Sequence, residues 1–507
     1  MSLALASILA ESARRHGDRT AVVFGNDRTT YAQLWEQARR YAAVFRAHGV
    51  APGDRVAIML PNVDAFPRAY YGALALGAVV VPVHALLTAA EVTYVLRDSG
   101  AKLLVCAGSL LAAGGPGAQA AGVFCFSVLA EPGAADASLE REMLLHEPID
   151  TFVERDPHDD AVILYTSGTT GAPKGAVLSQ NNLVLNAAVN AFDLFGVTKD
   201  DVFLAVLPLF HSFGQTCVMN TAFRVGASMV LMPRFDGAGA LDLMMRERVT
   251  VFEGVPTMYI ALLDAAQHDP RRPALAHAVS GGSSLPLTVL EAFESAFSVE
   301  IYEGYGLSET SPVASFNQPH FGRKPGTVGC GIWGVDLAIA RPEIEDRIEL
   351  LPSGELGEIV IRGHNVFKGY LGNPEATAAA IVDGWFRSGD LGTKDSDGFI
   401  TIVDRKKDLI LRGGFNVYPR EVEEVLMRHP AVKQVAVIGV PHAVHGEEVV
   451  AVIVRDESAS IEAKSIIDWS QQYLARYKYP RHVHFVDTLP LGASGKVLKR
   501  ELRTRFT

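Results

Sequence analysis

Two kinds of apolar spacing alternate along the first hundred residues. Between positions 30 and 50 apolar side chains recur at helical intervals (Tyr31, Leu34, Ala38, Ala42, Phe45), which predicts an amphipathic helix. Gly53 and Asp54 then turn the chain into an unbroken apolar run at 56–60, the pattern of a buried strand. Helix, strand, helix and strand follow to about Val105. Such alternation predicts a parallel sheet covered by helices. It resumes after Asp160, with strands expected at 161–164, 201–206, 227–232 and 249–252 and a helix at 241–248. The intervening stretch 112–137 is dominated by alanine and glycine and reads as a loosely ordered surface segment. From Pro325 to Asp404 short strands (337–340, 358–361, 398–402) and glycine turns predict a small β-subdomain. A charged string, Arg405-Lys-Lys-Asp408, follows. The last hundred residues then pattern as helix 419–428, strands 435–438 and 449–454, and helix 461–477.

The expected fold is therefore α/β. A large N-terminal domain of helix-covered sheets carries the β-subdomain and spans residues 1–404. A small α+β C-terminal domain spans 405–507. A length of 507 residues agrees with at least two domains. Apolar content of 49% and charged content of 20% suit a folded globular enzyme. A formal net charge of −11 argues against nucleic acid as the main partner. Cys106, Cys125, Cys217 and Cys330 are widely spaced, without a metal-like pair, which suits a reducing cytoplasm. The apolar N-terminus lacks a basic leader and is interrupted by Glu11, so it reads as a first helix. Residues 69–90 carry no formal charge with His84 neutral, a length that could span a bilayer. Gly72, Gly77, Pro82 and the β-branched run 79–81 favour a buried helix at 69–76 followed by a strand, and no transmembrane segment is expected.

The chemistry centres on Tyr165-Thr-Ser-Gly-Thr-Thr-Gly-Ala-Pro-Lys-Gly175. A strand, then glycines and hydroxyls, then lysine is a means of gripping a polyphosphate through backbone N–H groups, hydroxyl donors and one positive charge. It is not the common nucleotide loop, because Pro173 stands where that motif needs its second glycine. After Lys174 comes another short extended segment, and Ser179 is the expected N-cap of a helix at 180–192. The loop should thus bridge two strands. Gly329-Cys-Gly331-Ile-Trp-Gly334 satisfies a dinucleotide fingerprint, but neither a preceding strand nor a following helix accompanies it. It reads as turn chemistry in the β-subdomain.

The loop closely resembles the phosphate loop of the adenylate-forming enzymes, which include acyl-CoA synthetases, peptide-synthetase adenylation domains and luciferases. The resemblance runs over nearly the whole chain, with the motifs in the family's order. It implies that Thr166, Ser167, Gly168, Thr169, Thr170 and Lys174 hold the phosphates of ATP. Leu207-Pro-Leu-Phe-His211-Ser-Phe213-Gly is similar to the segment that sets a side chain at the acyl pocket. Gly254, Val255 and Gly281 are further expected lining. Ser280-Gly-Gly282-Ser283 is similar to the adenine-contact turn. In Glu303-Gly304-Tyr305-Gly306-Leu-Ser308-Glu309 the resemblance implies that Tyr305 stacks on adenine and Glu309 holds Mg²⁺. An aromatic face packs a purine, and a carboxylate is a hard oxygen ligand. The family usually has threonine at position 308; Ser308 keeps the hydroxyl.

In Asp383-Gly-Trp-Phe-Arg-Ser-Gly-Asp390 the last aspartate is expected to accept from the ribose hydroxyls, a bidentate match for a carboxylate. Arg405 should also reach the ribose, and Lys407 stands at the family's hinge. Gly413 and Gly414 match the loop lining the pantetheine tunnel of coenzyme A. Leu489-Pro-Leu-Gly-Ala-Ser-Gly-Lys496 resembles the terminal lysine motif, although many relatives carry Arg/Lys-Asn where this chain has Leu491-Gly492. The implied reaction has two steps. A carboxylate attacks the ATP α-phosphate to give acyl-adenylate and pyrophosphate, and coenzyme A then displaces AMP. The catalytic set is Lys496, Glu309, Thr166 and His211, and the small domain is expected to be mobile. The acid is expected to be a medium- or long-chain fatty acid, with an aryl acid of the coumarate or benzoate type as the alternative. A peptide-synthetase module is disfavoured by His211, where such modules typically carry an aspartate. A luciferase-type oxygenase would share the same motifs, and a non-catalytic nucleotide sensor would not need the full catalytic set.

Overall fold

The computed structural model describes residues 3–131, 137–166, 173–456, 461–492 and 495–507. The chain forms two large sheets, a five-stranded β-subdomain and a small C-terminal domain with its own sheet. A seven-stranded sheet carries the neighbouring strands Val79–Pro82, Arg55–Met59, Ala101–Ala107 and Phe124–Val128, all parallel. Asp160–Thr166 joins Val79–Pro82 in parallel and then pairs antiparallel with Lys174–Ser179. The expected loop between two strands is thus framed as anticipated; Ser167, Gly168, Thr169 and Thr170 themselves lie outside the described residues. Ser179 caps the helix Gln180–Val189, its hydroxyl accepting from the Asn182 amide.

A nine-stranded sheet holds Val202–Ala205, Val251–Gly254, His277–Ser280 and Ile301–Gly306 side by side and parallel. Their carboxyl ends, and that of Asp160–Thr166, deliver the segments around Lys174, His211, Gly282 and Glu309, whereas Asp390 lies within a strand of the β-subdomain. Loops at the carboxyl ends of parallel strands are where open α/β sheets bind ligands. Helices cover both sheets. Helix Ala65–Ala75 packs closely on Tyr31–Ala47 because Gly72 leaves no side chain between them: a Cβ there would lie 2.9 Å from the Ala38 carbonyl oxygen and from the Tyr41 Cβ. The uncharged stretch is therefore a buried helix and strand. No helix among the described residues is long and apolar enough to cross a membrane.

The β-subdomain pairs Val335–Ala340, Gly357–Gly363, Trp385–Lys394 and Ile400–Arg405 antiparallel. In the small domain the long hairpin Val432–His442/Gly446–Arg455 is buried on both faces. Val437, Val449, Ala451 and Ile453 pack toward Val422 and Ile466; Ala436, Ile438, Val450 and Val452 pack toward Leu489 and Leu502.

Three expectations need correction. Within the stretch 112–137 expected to be loose surface, of which residues 132–136 lie outside the described residues, Leu111–Ala121 is a helix and Phe124–Val128 a strand. Their small residues serve close packing, since a Cβ on Gly117 would lie 2.7 Å from a Val92 methyl. The helix expected over 461–477 is Ala463–Ser470, where Ser470 turns its hydroxyl back onto the Ile467 carbonyl at 2.8 Å, a bond that competes with the helical ladder. Cys330–Gly331 pairs with Val313–Phe316 at the edge of the nine-stranded sheet, not in the β-subdomain, and a strand follows it.

Candidate active site

The C-terminal loop carries Lys496 away from its own domain and into the mouth of the nine-stranded sheet. Thr257 Oγ1 donates to the Gly495 carbonyl at 3.4 Å. The lysine side chain then passes Gly282, where a Cβ would lie 3.1 Å from the lysine Cε. Gly282 has φ +79°, a conformation that favours glycine, so both the turn and the free path depend on that residue. The buried ammonium lies in the field of Arg405, Asp390 and Glu309. Burial and the Arg405 charge pull its pKa down from 10.5 to about 8, with the two carboxylates opposing them.

Asp390 is placed by sheet register. It faces Arg405 across paired strands, and its Oδ1 lies 3.3 Å from Arg405 Nε. Its Oδ2 accepts from the Tyr305 hydroxyl at 2.7 Å, which fixes the ring. Burial raises the Asp390 pKa, with Arg405 opposing it. Glu309 sits in a single 3₁₀ turn, Ser308–Thr310. Its Oε1 accepts from Tyr370 at 3.0 Å and from Thr166 at 3.4 Å. Lys174 Nζ lies 5.2 Å from the centre of the Tyr370 ring, on the same side of the site. Thr166, Lys174, Glu309 and Lys496 thus converge, with Tyr305, Asp390 and Arg405 adjoining them. Gly306 approaches the Pro312 carbonyl so closely that no side chain fits.

Other expected residues stand apart. Glu303 turns from this cluster and accepts from the Gly326 amide at 3.2 Å; burial raises its pKa to about 7. Gly304 packs against the Phe316 ring. Gly413 and Gly414 form an exposed hairpin turn with φ +58° and +83°, and a Cβ on Gly414 would meet nothing within 4 Å. Lys407 follows the strand Ile400–Arg405 and is exposed; partial desolvation of its ammonium and the Arg405 charge lower its pKa.

On the acid side, His211 Nδ1 accepts from the Phe213 amide at 3.2 Å. Burial, Lys496 and His84 push the imidazole down to about 3, so it is neutral. The Phe213 ring covers Gly281, 3.1 Å from where a Cβ would stand. A Val255 methyl lies 3.5 Å from the Cβ position of Gly282. Gly254 directs its missing side chain to the opposite face, toward Phe252 and Tyr259. Two further residues escaped the sequence reading. Tyr370 reaches Glu309 from the two-residue strand Gly369–Tyr370, too short to leave a pattern. Glu253 is buried at the end of an apolar strand beside the Gly254 that drew attention, and one carboxyl oxygen has no hydrogen-bond partner. A charged residue closing an apolar strand was its available signal.

The model of the AMP-binding enzyme family matches residues 9–371, and that of the AMP-binding enzyme C-terminal domain matches residues 421–496. A long-chain-fatty-acid–CoA ligase of Bacillus subtilis is 36% identical, over 98% of this chain and 94% of its own length. A feruloyl-CoA synthase of Amycolatopsis is 39% identical over 97% of each chain. ATP-bound MatB of Rhodopseudomonas palustris superposes with a TM-score of 0.90 at 34% identity, covering 100% of this chain and 99% of MatB; the apo form of MatB superposes at 0.79. The chain belongs to the AMP-binding enzyme family and is an AMP-forming acid–CoA ligase of its acyl-CoA synthetase branch.

Proposed function

We propose that this ligase activates a medium- or long-chain fatty acid, and that Lys496 is the group presented for the first of its two steps. The carboxylate attacks the α-phosphate of ATP, the bond to pyrophosphate breaks, and acyl-adenylate results. The thiol of coenzyme A then adds to the acyl carbon and AMP leaves with the bonding electron pair. The convergence of Lys496 on Thr166, Lys174 and Glu309 carries this reading. Thr166 and Lys174 hold the departing pyrophosphate, joined by Ser167, Thr169 and Thr170. Lys496 offsets the charge that moves onto the bridging oxygen, which is positioning and electrostatic stabilisation without a covalent enzyme intermediate. Asp390 and Arg405 take the ribose, and Tyr305 offers its ring to adenine.

One carboxylate with no competing cation in direct contact suits Mg²⁺, which commonly takes one or two protein carboxylates and completes its shell with phosphate oxygens and water. Glu309 would hold it, and the ion would neutralise phosphate charge. The better superposition on ATP-bound than on apo MatB supports the arrangement as the adenylating one. Gly413 and Gly414 stand apart in it, which supports a small domain, residues 405–507, that turns about Lys407 to bring them to coenzyme A.

The aryl alternative draws its support from the feruloyl-CoA synthase, as similar in sequence as the fatty-acid ligase. ATP–pyrophosphate exchange with octanoate, dodecanoate, palmitate, benzoate and cinnamate separates the two. The highest kcat/KM should fall on a fatty acid. Preference for an aryl acid would overturn the fatty-acid reading, and exchange with no acid would overturn the reaction.

A further inference from the structure

Glu253 is the penultimate residue of the strand Val251–Gly254, and the function described so far does not use it. Its register partner on the next parallel strand is Val279, so the two side chains share a face of the sheet. Gly281, two residues beyond Val279, continues that face, and the Phe213 ring lies over it. The helical segment Phe213–Asn220 begins with that ring, and Glu253 helps raise the pKa of its Cys217 thiol as it does that of Tyr259. Glu253 therefore stands on the Phe213–Gly281 side, where the acid binds, whereas Gly254 faces the other way.

Glu253 is 4% exposed, forms no ion pair among the described residues, and has an Oε2 without a hydrogen-bond partner. Ser212 Oγ, just before the segment that starts at Phe213, and Thr216 Oγ1, within it, are buried and unpartnered as well. An apolar tail against Glu253 would leave its Oε2 unsatisfied, and a buried polar group without a partner costs about 1–3 kcal/mol. A wall built for alkyl chains would place leucine or valine here.

We propose that Glu253 is a specificity-determining residue, and that the acid this enzyme prefers carries a hydrogen-bonding hydroxyl or amino group on its tail. The proposal rests on the ligase reading above and narrows it. Burial alone raises the Glu253 pKa to about 8, so at neutral pH the group is a carboxylic acid that can both accept and donate. A site built around such a group rejects an analogue lacking the matching polar atom far more strongly than an apolar pocket rejects an extra methylene.

The test uses matched acids in the full-length enzyme: dodecanoate against 12-hydroxydodecanoate, cinnamate against 4-hydroxycinnamate, and benzoate against 4-aminobenzoate. Pyrophosphate release is read as kcat/KM for each. In at least one pair the substituted acid should be preferred by about tenfold or more. The pair that shows the preference identifies the donor as alcohol, phenol or amine. In Glu253→Leu that ratio should fall to within about threefold of unity, and in Glu253→Gln, which keeps hydrogen-bonding capacity, it should fall less. The proposal is overturned if every unsubstituted acid is preferred, or if Glu253→Leu lowers both members of the preferred pair equally. Turnover with none of the six acids would remove the ligase reading, and this proposal with it.

Discussion

Lys496 and Glu253 are both buried, and burial brings both pKa values to about 8 from opposite directions. Burial drives the lysine down from 10.5 while Asp390 and Glu309 hold it up, so at neutral pH it keeps its charge among charged neighbours. Burial drives the glutamate up from 4.5 with nothing to oppose it, so at the same pH it is neutral. In the proposed site the nucleotide half would handle moving charge, and the acid half would be kept free of it. This separation suits an enzyme whose first step transfers negative charge between phosphates while the acyl tail takes no part.

If charge handling is confined to the nucleotide half, substitutions there should cost the most. Lys496→Ala should lose about 100- to 1,000-fold in ATP–pyrophosphate exchange, the scale of removing one transition-state donor. Asp390→Ala should raise the KM for ATP by roughly tenfold or more, because it removes charged hydrogen bonds and frees the Tyr305 ring. A fold-level collapse, read by circular dichroism, would remove the assignment to ribose.

The pH dependence sharpens the same contrast. The ammonium of Lys496 is the useful form, so kcat/KM for ATP should fall as pH rises through about 8, approaching tenfold per unit. Lys496→Arg should keep its remaining activity flat across that range. A wild-type profile level to pH 10 would contradict the assignment.

On the acid side the expected effect is on stability. The Glu253 carboxyl is neutral in both folded and unfolded chains below about 4.5. Between 4.5 and 8 the unfolded chain ionises and the folded one does not, so its effect on stability turns against the fold as pH rises through that window. Glu253→Gln should therefore stabilise the protein by about 1–3 kcal/mol at pH 7 and do nothing near pH 4, read as a difference in Tm. Equal Tm for both proteins at pH 7 would mean that the carboxyl is satisfied. The smallest effect should come from Asp264→Ala, which removes the 2.7 Å pair between Lys433 of the small domain and a helix of the large one. A partly exposed pair contributes at most about 1 kcal/mol, so exchange should change by less than about fivefold.

Sequence and structure agree most closely where function demands particular residue types in a row. The strand–loop–strand around Lys174 followed from its local string, and the resemblance carried by local motifs singled out Asp390, Arg405 and Lys496. The parallel sheets followed from periodicity, since buried strands and amphipathic helices leave different spacing. Residues 111–128 were misread because glycine and alanine there answer to close helix–strand packing, a tertiary demand that composition cannot express. Tyr370 and Glu253 were invisible for a related reason. Each acts through a partner or a face brought to it by a distant segment.

The central claim is that Lys496 serves adenylation and not the transfer to coenzyme A. The direct measurement is single-turnover thioester formation by Lys496→Ala from preformed acyl-adenylate and coenzyme A. The rate should stay within about threefold of wild type, against the hundredfold or greater loss expected in exchange. A comparable loss in both steps would contradict the division of labour.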